Sequence, residues 1–327
     1  MIRHPRGPFE PGDQVQLTDP KGRQHRLVLA AGRSFHTHRG SLSHDDLIGR
    51  PDGSVVISAG GTPYVALRPL LADYTLSMSR GAAVIYPKDA AQIVGLADIF
   101  PGARVIEAGA GSGALSCWLL RAVGESGLLV SYERRPDFAE IARANVQQYF
   151  GGPHPAWRLI VGELPSAGQP PQAGAGSGEA PAEAGGGQDE PADRVVLDML
   201  APWEYAATAA SLLAPGGLVC CYVATTTQLA RTVTALRDQQ SFAEPAAWET
   251  LQRGWHVDGL AVRPEHRMVG HTGFLMTARR LADGVTAPRR RRRPSKGAHP
   301  NQDETDPGWS GPRTGAEDEP AESAPGR

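Results

Sequence analysis

Apolar and polar positions follow two different rhythms along this chain. Before residue 70, short apolar stretches such as Ser54–Ser58 and Tyr64–Leu67 are separated by turn signals, which is typical of hairpin strands. From residue 103 onward, apolar runs of strand length alternate with segments of helical periodicity, which is typical of a parallel sheet with helices packed on it. The pattern predicts a small all-β domain over 1–70 and a doubly wound α/β domain over 71–283.

The elements of the α/β domain are predicted individually. Strands are predicted at 103–108, Leu128–Tyr132, Trp157–Val161, Val195–Asp198 and Gly217–Val223. Helices are predicted at Leu70–Met78, from Pro87 onward, and at Leu115–Val123, Tyr205–Leu213 and Thr227–Gln239. Two further segments, Leu251–Val262 and Thr272–Arg279, are predicted to pair with each other as terminal antiparallel strands.

Two segments have a composition that does not favour folding. Residues 166–193 consist almost entirely of Gly, Ala, Pro, Ser, Gln and acidic residues, and 284–327 join the arginine run Arg289–Arg293 to an acidic, proline-rich end. Such segments bury too little apolar surface to offset the entropy of ordering, so we expect a disordered insertion and a disordered tail. The rest of the chain has a small excess of basic over acidic side chains, which is compatible with nucleic acid but does not require it.

The cysteine positions and the hydropathy argue against a disulfide-rich, zinc-binding, secreted or membrane-spanning protein. The three cysteines, Cys117, Cys220 and Cys221, form neither a disulfide framework nor a zinc-ligand spacing, so no metal is expected. His36 and His38 are candidates for metal binding or for contact with a polyanion from an exposed loop, and surface polarity is the simplest of the three interpretations. The beginning of the chain lacks the apolar core of a signal peptide, and no apolar run reaches transmembrane length. A soluble, cytoplasmic protein is expected.

The segment Val105–Ala114, which reads Val-Ile-Glu-Ala-Gly-Ala-Gly-Ser-Gly-Ala, carries the clearest chemical signal. Its glycines lie between a buried strand and a helix, so the backbone can turn sharply and approach a ligand closely. Glu133 ends the next apolar run, and the carboxyl ends of strands are where open α/β sheets bind ligands. A carboxylate there can accept hydrogen bonds from both hydroxyls of a ribose. The segment predicts a nucleotide-cofactor loop.

Two cofactors compete for this loop. Gly109, Gly111 and Ala114 also satisfy the relaxed dinucleotide fingerprint, with an acidic residue about 20 positions later. Glu107 would repel a pyrophosphate and suits an ammonium group. This favours S-adenosylmethionine, which has no pyrophosphate, over a nicotinamide dinucleotide, and a purely structural turn is the third interpretation.

Six motifs, in the same order along the chain, resemble one known family. They are Tyr86-Pro87-Lys88-Asp89, Glu107–Gly113, Ser131-Tyr132-Glu133, Asp198–Trp203, Tyr222–Gln228 and Gly270–Leu275. Over residues from about 7 to 282, the chain resembles the bacterial tRNA (adenine-58-N1)-methyltransferases, particularly the actinobacterial ones. The resemblance implies a Rossmann-like class I methyltransferase sheet in a homotetramer, with S-adenosylmethionine as cofactor and tRNA as partner. The implied reaction is methylation of N1 of adenosine 58 in the T-loop.

The resemblance and the strand positions together imply a role for each site residue. Asp198 is expected to be catalytic as an ionised acceptor for the exocyclic amine of the target base, and Tyr86 to flank that base. The expected cofactor-binding residues are Glu107, Gly109, Ala110, Gly111, Ser112, Gly113, Glu133, Phe138, Glu163, Leu164 and Asp198. Glu133 is assigned to the ribose and Glu163 with Leu164 to the adenine. His271 and Thr272 are either close to the site or structural.

Two other functions stay open at this point. The chain could methylate a small molecule or a protein, with the β domain acting as a substrate lid. It could also be a catalytically silent RNA-binding subunit, which the intact glycine loop and Asp198 disfavour.

Overall fold

A computed structural model describes residues 6–81, 83–165 and 190–287 of the chain, and these belong to one compact unit ending at Ala287. The first part is built from antiparallel strands: β1 (Gln14–Thr18), β2 (Gln24–Val28), β3 (Ser34–Thr37), β4 (Gly40–Ser43), β5 (Ser54–Ile57) and β6 (Pro63–Leu67). Four of them form a sheet in the order β2-β1-β6-β5, and β3 pairs with β4. Alternate residues such as Val15, Leu17 and Tyr64 are buried, as expected of strands with one face toward a core.

The second part alternates helices and strands. Its elements are α1 (Leu71–Ser77), α2 (Pro87–Leu96), β7 (Arg104–Ala108), α3 (Ala114–Val123), β8 (Leu128–Glu133), α4 (Pro136–Phe150), β9 (Trp157–Val161), β10 (Ala192–Asp198), α5 (Ala206–Leu212), β11 (Leu213–Val223), α6 (Thr226–Asp238), β12 (Ala246–Trp248), β13 (Gln252–Asp258), β14 (Ala261–Val269) and β15 (Phe274–Arg279). Pro87 occupies the first turn of α2, as predicted, because its fixed φ suits that position.

Seven strands form the central sheet in the order β12-β15-β11-β10-β7-β8-β9. Strands β7 to β11 run parallel to one another, and β15 pairs antiparallel with both β11 and β12. Neighbouring residues of one strand contribute to different hydrophobic clusters: Val196 packs with α1 to α4, whereas Val195 and Leu197 pack with α5 and α6. Helices therefore cover both faces of the sheet, which confirms the predicted fold class.

The antiparallel part packs onto the helices of the central sheet through polar and aromatic contacts. The Arg26 guanidinium lies 5.0 Å from the centroid of the Tyr74 ring, and Gln14 Nε2 donates to the carbonyl of Gln148 at 3.0 Å. The Tyr74 hydroxyl in turn donates to the carbonyl of Asn145 at 2.7 Å. These contacts join β1 and β2 to α1 and α4.

The predicted pairing of the two terminal strands is wrong. Gly259, with φ of 54°, reverses the chain inside the segment predicted as one strand, so β13 pairs with β14 as a separate hairpin. The last strand, β15, joins the central sheet instead. Both strands of the hairpin are solvent-exposed on both faces, and such strands carry no pattern of burial that would locate their partner.

The predicted insertion is also too long at its end, because β10 already begins at Ala192. Most of the predicted insertion, 166–189, lies outside the described residues. The same is true of the tail from residue 288, which includes the arginine run Arg289–Arg293.

Candidate active site

Polar side chains from four neighbouring strands meet on one face of the central sheet, at its carboxyl edge. Glu107 on β7 is the register partner of Ser131 on β8, and Asp198 on β10 is the partner of Tyr222 on β11. On each of these strands, the residue two positions earlier packs against helices α1 to α4. Side chains two positions apart on a strand point the same way, so all four polar side chains lie on the face covered by α1 to α4. Glu133, two residues after Ser131, points the same way.

The glycine loop between β7 and α3 passes close to this group. Gly109, Gly111 and Gly113 have φ values of 90°, 55° and 79°, a region that disfavours side chains. A β-carbon on Gly109 would overlap the carbonyl oxygen of Asp198, and one on Gly113 would lie 3.1 Å from the backbone of Ala142. Glycine is therefore required at 109 for close approach of two backbones and at 113 for packing of α4.

Glu133 ties the glycine loop to the end of β8. Its Oε2 accepts from the Gly111 N–H at 2.8 Å, and its Oε1 accepts from the Arg135 N–H at 3.0 Å. The carboxylate is buried and faces the loop. The structure thus places Glu133 where a ligand lying along the glycine loop would meet it.

Glu107 is fully buried at the end of β7. Its Oε2 accepts from Ser116 at 2.6 Å and from Ser131 at 2.5 Å, while its Oε1 has no hydrogen-bond partner among the described residues. Burial raises the pKa of Glu107 to about 6, although the two serine hydrogen bonds act in the opposite direction. A buried carboxylate oxygen without a partner is unusual and suits a cationic ligand.

Asp198 lies half-buried at the end of β10, between the glycine loop and Tyr222. Burial, with added repulsion from Glu107 and Glu133, raises the pKa of Asp198 to about 7. A positive charge placed among these carboxyl groups would favour the ionised form.

A hydrogen-bonded network beside Asp198 is the main feature that the sequence did not predict. Lys88, the second residue of α2, donates to Asp89 Oδ1 at 2.7 Å and to Thr272 Oγ1 at 2.6 Å. The hydroxyl of Tyr222 donates to the carbonyl of Thr272 at 2.8 Å. Burial raises the pKa of Tyr222 to about 12, so this phenol keeps its proton. Of these residues, the sequence indicates only Thr272 as a possible site residue.

The remaining predicted site residues are placed as follows. Tyr86 occupies the N-cap position of α2, and 39% of its surface is exposed. Ser112 Oγ accepts from the Gly81 N–H at 3.0 Å, and Ala110 is buried in the loop. Phe138 on α4 lies under the Arg135 guanidinium, 3.2 Å from its ring centroid.

Glu163 and Leu164 follow β9 beside the end of β8, where the Gly162 N–H donates to the carbonyl of Glu133 at 2.9 Å. Glu163 is exposed and lies 3.7 Å from Arg134, while Leu164 packs in the hydrophobic cluster beneath α5 and α6. The exposed His271 bridges Glu249 at 3.1 Å and the carbonyl of Ala224 at 2.9 Å, so it joins two loops at this edge of the sheet.

The donor set fits S-adenosylmethionine better than a dinucleotide. A sulfonium and an ammonium group would be attracted by the carboxyl groups of Glu107, Glu133 and Asp198, whereas a pyrophosphate would be repelled. The described residues contain no group of three or more His, Cys, Asp or Glu placed to hold a metal ion. None of the described helices is long and apolar enough to cross a membrane.

Comparison with known proteins agrees with this site. A family model described as "TrmI-like N-terminal" matches residues 7–56, and one described as "tRNA methyltransferase complex GCD14 subunit" matches 64–150. The TrmI tRNA (adenine(58)-N(1))-methyltransferase of Thermus thermophilus is 35% identical over 264 residues, which is 81% of this chain and 95% of that protein. The chain belongs to the TrmI family. The resemblance of its six motifs to the tRNA (adenine-58-N1)-methyltransferases is therefore confirmed.

Three further proteins are similar to this chain in sequence or in structure. The Methanocaldococcus jannaschii protein, named for adenines 57 and 58, is 28% identical over 270 residues, covering 80% of this chain and 93% of that one. The crystal structure of TrmI from Aquifex aeolicus aligns with a TM-score of 0.67 at 23% identity, covering 84% of this chain and 99% of that one, and supports the fold. A Thermotoga maritima structure described as a SAM-dependent O-methyltransferase aligns with a TM-score of 0.73 at 28% identity, covering 87% and 96%.

Proposed function

We propose that this protein transfers the methyl group of S-adenosylmethionine to N1 of adenosine 58 in the T-loop of tRNA. The observation that carries the proposal is the position of Asp198, which lies against the glycine loop and beside Tyr222 in a chain of the TrmI family. This places one carboxyl group between the cofactor loop and an aromatic side chain.

The reaction requires positioning more than proton transfer. Adenine N1 has an in-plane lone pair and no proton, so no base is needed to activate it. The bound cofactor supplies an electrophilic methyl group on its sulfonium. Asp198 in its ionised form accepts a hydrogen bond from the exocyclic amine of adenine, which orients N1 and stabilises the positive charge that the base acquires.

The cofactor-binding roles are assigned to residues of the strand ends. The glycine loop from Gly109 to Gly113, with Ala110 and Ser112, lines the methionine part, and the unpartnered oxygen of Glu107 suits the ammonium group. Glu133 accepts from the ribose hydroxyls. Phe138, Glu163 and Leu164 are assigned to the adenine side, where Glu163 and Leu164 follow the neighbouring strand β9.

The target base is held between aromatic side chains. Tyr86 lies at the start of α2 and Tyr222 near the end of β11, where Asp198 is the register partner of Tyr222. Because position 58 is enclosed in folded tRNA, the base has to leave its stack before N1 reaches the methyl group. The partly exposed ring of Tyr86 is available to stack on an extruded base.

The protein acts in the cytoplasm as a homotetramer, and the β13–β14 hairpin supports self-association. Trp255 and Val257 lie directly opposite Pro264 and Val262, so the four side chains share one face. Trp255, Val257 and Val262 expose 60%, 69% and 57% of their surfaces. An apolar face of this kind on a projecting hairpin is typical of a surface that packs against another subunit.

The deciding experiment is incubation of the purified protein with unmodified tRNA transcript and labelled S-adenosylmethionine. Nucleoside analysis and reverse-transcription stops then report the modified atom and position. We expect 1-methyladenosine with a stop at position 58. If the cofactor binds but no 1-methyladenosine forms, the proposal is wrong, and methylation of a small molecule or a protein becomes the function to test.

A further inference from the structure

Lys88 is a buried lysine outside the residues that meet the cofactor or the base. It is the second residue of α2, directly after Pro87, and only 3% of its side chain is exposed. A buried ammonium group is costly unless all of its protons are accepted. Here the three donors of Lys88 Nζ meet three oxygen acceptors, namely Asp89 Oδ1 at 2.7 Å, the Thr250 carbonyl at 2.6 Å and Thr272 Oγ1 at 2.6 Å.

Two of the three acceptors flank the exposed hairpin, one at each end. Thr250 lies two residues before β13 begins at Gln252, and Thr272 lies three residues after β14 ends at Val269. The hydroxyl of Thr272 completes the set by donating to Asp89 Oδ2 at 2.5 Å. Lys88, Asp89, Thr250 and Thr272, called the Lys88 cluster below, therefore join the root of the hairpin to the first turn of α2.

The same cluster is connected to both aromatic side chains of the target-base pocket. Tyr86 occupies the N-cap position of α2, two residues before Lys88, and the Tyr222 hydroxyl donates to the carbonyl of Thr272 at 2.8 Å. Gly273 packs so closely on the ring of Tyr222 that a β-carbon there would overlap it. A shift of the Thr272 loop would therefore move Tyr222 relative to Tyr86 and Asp198.

We propose that the Lys88 cluster is a positioning device, which holds Tyr86 and Tyr222 at their working separation by anchoring the root of the hairpin. The inference rests on the proposed tRNA methylation. None of the cluster residues touches the reacting atoms. Loss of the cluster lowers turnover of bound tRNA and leaves cofactor binding intact, since the glycine loop and Glu133 lie on other strands.

The test compares three substitutions in the full chain. Thr272→Val keeps the volume but removes the hydroxyl that bridges Lys88 and Asp89. Thr272→Ser keeps the hydroxyl and is the conservative rescue. Thr250→Ala is the matched control, because Thr250 contributes its backbone carbonyl.

Methylation of tRNA transcript and cofactor binding are measured for each protein, together with its melting temperature. We expect Thr272→Val to lower kcat about tenfold to a hundredfold, as a displacement of about 1 Å does in other enzymes. KM for tRNA and the dissociation constant of the cofactor stay within about twofold, and Thr272→Ser and Thr250→Ala stay close to wild type.

Three results would overturn the inference: unchanged kcat in folded Thr272→Val, an equal loss in Thr272→Ser, or a parallel loss of cofactor affinity. If Thr272→Val does not fold, Asp89→Asn, which removes the charge opposite Lys88 at constant volume, is judged by the same criteria. Formation of 1-methyladenosine by the wild-type protein in the same assay separates failure of this inference from failure of the proposed function.

Discussion

The backbone of Gly109 lies directly against the main-chain carbonyl of Asp198, so closely that any β-carbon at position 109 would overlap that oxygen. Gly109 directly follows β7, and Asp198 is the last residue of β10, the parallel strand beside it. Under the proposed function they belong to different halves of the site: the glycine lines the cofactor and the aspartate meets the target base. Their contact fixes the distance between the two halves.

Substitution of Gly109 tests this contact. Gly109→Ala adds a methyl group that must displace either the glycine loop or Asp198, so we expect loss of cofactor affinity and of turnover, each by about a hundredfold or more. Calorimetric titration with S-adenosylmethionine and the tRNA methylation assay measure the two effects.

Gly102→Ala is the matched control for that substitution. Gly102 has the same φ of 90° as Gly109, but a β-carbon there would lie 3.8 Å from Ser126 Oγ, the nearest atom. The control carries the backbone strain of a side chain at positive φ without the overlap. Equal effects of the two substitutions would show that strain alone, and not the contact with Asp198, is responsible.

Removal of the Asp198 charge is expected to abolish most of the turnover. Asp198→Asn keeps the shape but cannot provide a negative charge for the methylated base, so kcat should fall by about a hundredfold to a thousandfold. Single-turnover methylation of tRNA at saturating cofactor is the measurement, with Glu140→Gln on the exposed side of α4 as control. Near-normal turnover in folded Asp198→Asn that still binds cofactor would contradict the catalytic role.

Cofactor affinity should rise with pH between about 5.5 and 7.5. The pKa values of Glu107 and Asp198 are raised to about 6 and about 7, and a cationic ligand favours the ionised forms, so binding releases protons. Calorimetry in two buffers of different ionisation enthalpy counts those protons. Asp198→Asn should release fewer protons near pH 7, and a wild-type protein that releases none would refute this coupling.

The same raised pKa values predict that, without cofactor, the stability of the folded protein falls as the pH rises. Both carboxyl groups have raised pKa values in the folded state, so the folded protein binds protons more tightly than the unfolded chain. Their contribution to stability is fully present below about pH 4 and is lost as the pH rises through about 6 and 7. The difference in melting temperature between wild type and Asp198→Asn should therefore change most across that range.

Self-association should depend on the apolar face of the hairpin. Trp255→Glu places a charge on that face and is expected to yield species smaller than a tetramer, measured by light scattering on a sizing column. His256→Glu, on the opposite face of the same strand, is the control and should leave the mass unchanged. A Trp255→Glu protein with the mass of the wild type would show that the subunits meet elsewhere.

Much of the proposed cofactor site was predictable from the sequence, because its residues follow from local patterns. The strand ends that carry Glu107, Glu133 and Asp198 follow from apolar runs of strand length, and the glycines mark the turn between them. The seven-stranded sheet and the helices on its two faces confirm the prediction made from that alternation.

The sequence by itself determined the five parallel strands β7 to β11, the position of the glycine loop after β7 and the membership of the TrmI family. Only the tertiary structure decided which residues far apart in the sequence contact each other, such as Lys88 with Thr272 and Asp198 with Tyr222. It also decided that β13 and β14 form a separate two-stranded hairpin outside the central sheet. The physical reason is that apolar periodicity reports which face of an element is buried, whereas buried polar pairing and strand register depend on partners that no local pattern identifies.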